Sequence, residues 1–382
     1  MVPKLRFKEF CGEWEEERLG DVAEIYKGNT LSKSDLRDEG YPCILYGELY
    51  TKYGEIIERV YSKTNRTDKN LFRGKNNDVL IPSSGETAID ISTASCLKCD
   101  NVYIGGDLNV IRCNDINGSF LSYNLNHKQK NSIAKFAQGV SVVHIYGDSL
   151  RKLKIKIPSL PEQTKIADFL STVDDKIQNQ QDKITHLENI KKGFMQKIFS
   201  RKIRFKDDGG EEFPKWGEKK LGNICNITTG KLDANAMNKD GKYRFYTCAA
   251  EYYRINSYAF DTEALIISGN GANVGYIHYY KGKFNAYQRT YILDNFFYDI
   301  KYIKIYLDKY LHKRIENEKK AGNTPYIVLS TLYNMKIELP CLEEQTKIAD
   351  FISSFDEKIS TEKEILEHLK ELKKGLLQQM FV

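Results

Sequence analysis

The octapeptide EQTKIADF occurs twice, starting at Glu162 and again at Glu344. Extended in both directions it becomes a gapless repeat, residues 158–199 against 340–381, with 21 identities in 42 positions. A chain built this way folds as two copies of one supersecondary plan, and the rest of the sequence must fit around them. Within each copy the apolar residues step by four and three. The first seam reads Ile166, Leu170, Val173, Ile177, Ile184, Leu187, Phe194 and Ile198; the second reads Ile348, Ile352, Phe355, Ile359, Leu366, Leu369, Leu376 and Met380. A 3.5-residue period held for about five heptads argues for a long helix with a coiled-coil-like seam. About 38 residues rising about 1.5 Å each make a rod of about 57 Å. Pro161, lacking an N–H, suits the first turn of such a helix.

Polar residues interrupt the two seams at equivalent places, Gln180 and Lys191 in one copy, Glu362 and Lys373 in the other. Equivalent positions of two antiparallel helices approach each other only near the pseudo-twofold axis that relates them. Gln180 and Glu362 mark the two midpoints, so they are expected to form a helix pair there, amide to carboxylate, fixing register at some cost in stability.

Upstream of each helix lies a different kind of sequence. Runs such as DVLIPSS, NVYIGGDLNVIRC, EALIISGNG and GYIHYYKGKF alternate between glycine- and asparagine-bearing turns, the pattern of many short strands, with a helix expected around residues 302–320. The expected fold class is α+β. It comprises a first globular domain (1–157), a first spacer helix (158–200), a linker (201–215), a second globular domain (216–339) and a second spacer helix (340–382), the helices packing antiparallel with pseudo-twofold symmetry. A fainter repeat of the openings supports this: RFKEF and a tryptophan before LGDV in one copy, RFKDD and a tryptophan before LGNI in the other. All 25 tyrosines fall in the blocks between Trp14 and Ile157 and between Trp216 and Leu339, none in the helical repeats.

A length of 382 residues exceeds what one core usually organises. The longest apolar runs stop far short of a membrane span and the amino terminus is charged, so no membrane is expected and the cytoplasm is the expected location. Eight scattered cysteines then read as reduced thiols, and Cys96 with Cys99 lacks the second ligand pair of a structural zinc site; no metal is expected.

Four motifs could suggest catalysis, and each has a plainer reading. SGNGANVG from Ser268 resembles a phosphate loop, but a strand pattern rather than a helix follows it. NTPY from Asn323 resembles the loop of adenine methyltransferases, yet no methyl-donor loop precedes it. Asp356, Glu357 and Lys358 have nuclease letters on a helix that points them to different faces. His186 and His368 occupy equivalent helix positions with no catalytic neighbour. The chain is expected not to be an enzyme by itself, which leaves binding. The formal charge of +6 is uneven, +1 over residues 14–157 (20 basic, 19 acidic) and +6 over 216–339 (18 basic, 12 acidic), mildly favouring a polyanion.

The twice-used start with its Pro-x-Leu-x-Glu-Gln…Ile-Ala-x-Phe pattern, the KLRFKEF…W…RLGDV opening and the GNTLSKSD that follows it resemble the specificity subunit of type I restriction-modification systems over essentially the whole chain. The resemblance implies two target recognition domains, each reading one half of a split double-stranded DNA sequence, asymmetric because the domains differ. It also implies docking of two modification subunits, which bring S-adenosylmethionine and methylate adenines. Up to two ATP- and Mg-dependent restriction subunits can join them, while this chain holds no cofactor itself. Identical helix starts would offer two identical docking surfaces. Gln163, Lys165, Gln345 and Lys347 are the expected polar contacts of that subunit interface. For DNA, the loops offer Thr30, Ser32, Lys33, Tyr46, Glu48, Lys63, Asn65, Arg66 and Ser84 in the first domain. The second offers Lys231, Tyr246, Thr247, Arg254, Asn270, Asn273 and Arg289. The rival readings are a coiled-coil scaffold that binds only proteins, and a stand-alone methyltransferase or nuclease.

Overall fold

The computed structural model describes residues 2–318 and 326–382. The helices that position everything else are α1 (Gly118–His127), α2 (Leu160–Phe199), α3 (Ile300–Glu318) and α4 (Leu342–Met380). The two long ones run for 40 and 39 residues, and Pro161 sits in the first turn of α2. Contacts divide the chain into one unit of residues 1–183 with 362–382 and another of residues 184–361. This division cuts α2 and α4 near their middles. Each unit therefore takes the first half of one long helix and the second half of the other.

In the first unit Asp174 pairs with Lys373 at 2.7 Å, and Gln180 donates to a carboxylate oxygen of Glu362 at 2.6 Å and to its backbone oxygen at 2.9 Å. One number rises as its partner falls, so the helix halves run antiparallel. The second unit has the same sense: Lys191 meets Asp356 at 2.5 Å, and Phe194 meets Phe351 edge-on at 5.1 Å. The polar interruptions of the seams thus have partners. Lys191 and Lys373 are repeat equivalents, as are Asp356 and Asp174. The first unit adds to its copy: Lys373 also pairs with Glu55 at 3.0 Å, and Tyr123 donates to Asp174 at 2.7 Å.

The first unit carries two five-stranded sheets. One is ordered Ala23–Lys27, Leu108–Cys113, Asp78–Pro82, Ser95–Leu97, Ile56–Ile57; the other Leu36–Arg37, Ser62–Thr64, Tyr41–Ile44, Val102–Ile104, Arg73–Gly74. Helix α1 closes over the first, capped by Asn117, whose side chain accepts from Phe120 N at 3.0 Å. In the second unit a single six-stranded sheet, Asn226–Thr229, Thr290–Asp294, Phe260–Ser268, Ile277–Ala286, Tyr243–Tyr246, Tyr253–Ile255, packs one face on α3. SGNGANVG is the reversal between two antiparallel strands of this sheet, with no helix after it. Helix α3 is described to Glu318; Lys319 and Lys320 of the expected helix, and Asn323 to Pro325 of NTPY, lie outside the described residues.

Both units close their globular part in the same way. Glu15–Arg18 pairs antiparallel with Lys154–Ile157, and Gly217–Lys220 with Lys336–Leu339, so the chain enters and leaves each sheet assembly side by side. A domain that begins and ends on one ribbon can vary in its loops while keeping its attachment to the helix that follows.

Candidate nucleic-acid interface

The repeated octapeptide holds each domain to its helix through its glutamate and glutamine. Glu162 is 1% exposed and accepts from Arg6 Nε at 2.8 Å, Arg6 Nη2 at 2.7 Å and Trp14 Nε1 at 3.4 Å. Glu344 is fully buried and accepts from Arg204 Nε at 3.1 Å, Arg204 Nη2 at 2.7 Å and Trp216 Nε1 at 3.0 Å. Such a bidentate, charge-assisted fork is the strong form of a hydrogen bond. It anchors the segment that precedes each domain to the helix that follows it. The segment called a linker at 201–215 is accordingly docked, with Phe213 buried and Phe205 against Phe351.

Gln163 and Gln345, expected as surface contacts to a partner, need correction. They are 2% and 0% exposed, and both ends of each amide are used inside the chain. Asn117 N donates to Gln163 Oε1 at 2.9 Å, and Gln163 Nε2 donates to Pro158 O at 2.8 Å; Asp299 N donates to Gln345 Oε1 at 3.0 Å, and Gln345 Nε2 to Pro340 O at 2.8 Å. Asn117 and Asp299 begin α1 and α3, so each glutamine ties its domain's own helix to the long helix. Lys165 is exposed and pairs with Glu9; Lys347 pairs with Asp208 at 2.7 Å. Both stand at the surface but are spent on the preceding segment.

Among the expected DNA contacts of the first domain, one group is brought together. Ser32 and Asp35 cap the short turn Lys33–Asp35, with Ser32 N donating to Asp35 Oδ2 at 2.8 Å. Arg66 donates to Thr30 O at 2.7 Å and pairs with Asp68 at 2.6 Å and Asp35 at 3.5 Å. Asn65 lies against Gly40, where a Cβ would come within 2.5 Å of its Oδ1. Arg66 therefore positions this loop pair, its charge already neutralised, while Lys33 and Lys63 are exposed and form no ion pair among the described residues. Tyr46, half-buried against Tyr50 at 6.5 Å, lies outside that group. Glu48 is corrected: it is 6% exposed and accepts from Leu45 N at 2.9 Å, from Ser62, and from Lys52 Nζ at 2.7 Å, so both carboxylate oxygens are spent within the domain. Ser84 is 8% exposed in a strand pair with His144.

In the second domain the loops meet at one end of the six-stranded sheet. Gly269 N donates to Arg289 O at 2.9 Å, Asn273 Nδ2 to Cys248 O at 3.3 Å, and Gln288 N to Leu232 O at 2.9 Å; Asn270 bridges to Tyr326. Lys231, Asn273 and Arg289 are exposed there and Asn270 half-exposed, so one surface carries amides beside cations. Gly269 must be glycine, because a Cβ would stand 2.3 Å from Arg289 O. Tyr246 is corrected: 1% exposed, it ends a strand and its ring enters the small core with Ile266 and Phe284, while Thr247, 6% exposed, follows the strand's last residue. Arg254 lies apart from the loops, on the edge strand opposite Arg244. Arg244, absent from the expected set, is stacked between Tyr252 and Tyr280, 4.3 Å from each ring centre. Beside it, burial lowers the pKa of His278, which bonds Ala249 O at 3.0 Å.

Comparison with known proteins adds what the geometry cannot. A family model described as "Type I restriction modification DNA specificity domain" matches residues 12–189 and again 214–371. The type I restriction enzyme EcoDI specificity subunit of Escherichia coli is 38% identical over 163 residues, covering 43% of this chain and 36% of that protein. The MjaVIII specificity subunit of Methanocaldococcus jannaschii is 25% identical over 97% of this chain and 94% of its own. In fold, the chain is similar to the type I restriction-modification S subunit from M. genitalium, with a TM-score of 0.69 at 20% identity, covering 100% of this chain and 99% of that one. A second solved structure, from work on complex assembly and conformational transition of the type I restriction-modification system, aligns at a TM-score of 0.57 and 18% identity over 98% of both chains.

Proposed function

The chain belongs to the type I restriction-modification DNA specificity family, and we propose that it reads a split, asymmetric double-stranded DNA target on behalf of enzymes it carries. The observation that supports this is the pairing of like anchors with unlike readers. Glu162 and Glu344 make the same three contacts, yet one anchors a two-sheet domain and the other a single six-stranded sheet. A protein that needed one binding surface twice would keep the domains alike. One that needs two different half-sites at equivalent mounts varies the sheets and keeps the helices.

Catalysis is borrowed in this reading. Two modification subunits, with S-adenosylmethionine, methylate adenines, and up to two restriction subunits bring ATP and Mg. The docking surfaces are the outward residues of the helix starts, where identity between the copies serves no packing inside the chain: Leu160 and Leu342 are 50% and 58% exposed, and Asp168 and Asp350 are also exposed. In the first unit Phe7, Leu160, Pro161 and Phe169 line an open groove of about 780 Å³ at this place.

The experiment maps methylated adenines in cells that carry the intact system, then replaces residues 14–157 with the corresponding block of a relative. One half-site is expected to change and the other to persist. Both changing together would end the two-reader account. Purified chain with methyl donor and DNA should show no turnover. DNA binding by the assembled complex should fall steeply with salt; a flat dependence would favour a scaffold for proteins alone.

A further inference from the structure

Arg244 and Arg254 are direct partners across the antiparallel strands Tyr243–Tyr246 and Tyr253–Ile255. Directly opposed residues of such a pair share a face with Cβ atoms about 5 Å apart, and like charges there are destabilising. The arginines that hold this fold together, such as Arg6, Arg112 and Arg204, each have a carboxylate within 3 Å. Arg244 and Arg254 form no ion pair among the described residues, although Glu251 and Asp240 are close in sequence. Aromatic rings hold them instead. Tyr252 lies 4.3 Å from the Arg244 guanidinium and 5.7 Å from that of Arg254, and Tyr280 stacks on the other side of Arg244 at 4.3 Å. Arg244 donates to Tyr246 Oη at 3.3 Å and Arg254 to Lys242 O at 3.4 Å, which leaves most of the five N–H donors of each guanidinium unspent. The fixed pair turns its remaining donors to any anion that reaches it.

We propose that Arg244 and Arg254, clamped by Tyr252 and Tyr280, form a seat for a phosphodiester of the DNA backbone, an inference that rests on the DNA-reading function above. A planar guanidinium fork matches phosphate oxygens, and stacking fixes its plane before the ligand arrives. The place suits the role. The pair lies on the face opposite α3, two residues along the strand from Tyr246, about 7 Å at strand rise. The loops that carry Asn273 and Arg289 begin just beyond. A backbone contact at that distance fixes the register of base-reading side chains without itself carrying sequence information.

Two measurements test this, using Arg244→Gln/Arg254→Gln and the milder Arg254→Gln, whose site is an exposed edge. In the free chain, about 10 mM inorganic phosphate should raise the unfolding temperature above that in chloride at equal ionic strength, and both variants should lose the difference. In chloride, Arg254→Gln should melt no lower than the parent, because it relieves a like-charge contact. No phosphate-specific shift in the parent would overturn the seat. In the assembled complex, the slope of log affinity against log salt should fall by about 0.9 in the double variant, one phosphate contact, with both half-sites unchanged. Parallel slopes would overturn the phosphodiester assignment, and an altered half-site would make the pair a base reader instead. A parent complex that shows no salt-dependent DNA binding would defeat the proposed function itself, and this inference with it.

Discussion

Removing the carboxylate at Glu162 should unfasten the first domain and leave the second intact. Glu162 is 1% exposed, and in Glu162→Ala two guanidinium donors and the Trp14 indole N–H lose their acceptor together. Breaking a buried ion pair from one side costs about 3–5 kcal/mol, and Arg6, at 13% exposure, recovers some water, so about 3 kcal/mol is the working figure. At about 1.4 kcal/mol per tenfold, that corresponds to amide exchange faster by on the order of a hundredfold. Hydrogen exchange read by mass spectrometry gives the answer locally. Peptides covering Glu15–Arg18 and Lys154–Ile157 should lose protection, while Gly217–Lys220 and Lys336–Leu339 keep theirs. Glu344→Ala should give the mirror result. Replacing donor and acceptor together, Arg6→Met with Glu162→Leu, should restore most of the protection because no buried charge remains unpaired. A loss below about 1 kcal/mol, the range of exposed pairs, would show that the clasp carries no load and that strand pairing alone closes the domain.

Further expectations concern the helices and the thiols. Lys183 first, then Gln180, hold the Glu362 carboxyl below its usual range, so its contribution is present above about pH 4.5 and is lost as pH falls through the lowered value. Replacing Gln180 and Glu362 by leucine should raise the unfolding temperature at neutral pH by about 2–4 °C and flatten the acid limb of a calorimetric pH series; a lower melting point at neutral pH would refute this. Phe381→Ala should destabilise the first unit by about 3–5 kcal/mol, because the ring is 4% exposed and packs on Trp14 and Phe120; exchange rates unchanged in α1 would contradict it. Burial pushes the thiols of Cys43 and Cys225 up to about 12, so maleimide at pH 8 should label exposed Cys11 and spare both; their modification in folded protein would show that these cores open. Cys248, which donates to Arg289 O at 3.3 Å, should become protected when the complex binds DNA.

The long helices were legible because their signal is local: a period of 3.5 residues survives whatever the helix packs against, and the residues breaking it, such as Lys191 and Lys373, are those with acidic partners. The sheets were legible only as strands. That Glu15–Arg18 pairs with Lys154–Ile157 depends on a closure across the whole domain that no short window contains. Exposure failed for related reasons. Glu48 has the letter of a base reader but caps its own turn, and Tyr246 looks like a loop start but ends a strand with its ring in the core. Gln163 and Gln345 were misjudged because a polar residue in a repeated motif suggests a surface. The repeated arginine and tryptophan upstream were the signal that the motif's partners lie within the chain. Arg244 was missed because the register that sets it against Arg254 is a property of the sheet, not of either strand.

The two units are reciprocal in a way that explains why the repeat keeps its far end as well as its start. Phe381 ends the second repeat yet packs in the first unit on Trp14 and Phe120; Phe199 ends the first repeat and packs in the second unit on Trp216 and Tyr302. Even the backbone follows this rule. Leu5 N donates to Gln379 O at 3.0 Å, and at the equivalent place Ile203 N donates to Lys197 O at 3.3 Å. In the second unit that bond spans a short continuous turn, whereas in the first it joins segments from opposite ends of the sequence. Each domain is thus clasped by the start of its own helix and completed by the end of the other one. Neither copy of the repeat can drift at either end without loosening a domain. The recognition blocks are fastened at their paired first and last strands, through Asn117 or Asp299, and at a few side chains such as Glu55, Phe120, Tyr123 and Tyr302; elsewhere they are free to diverge. That division of constraint is what a reader of changeable targets on a fixed scaffold requires.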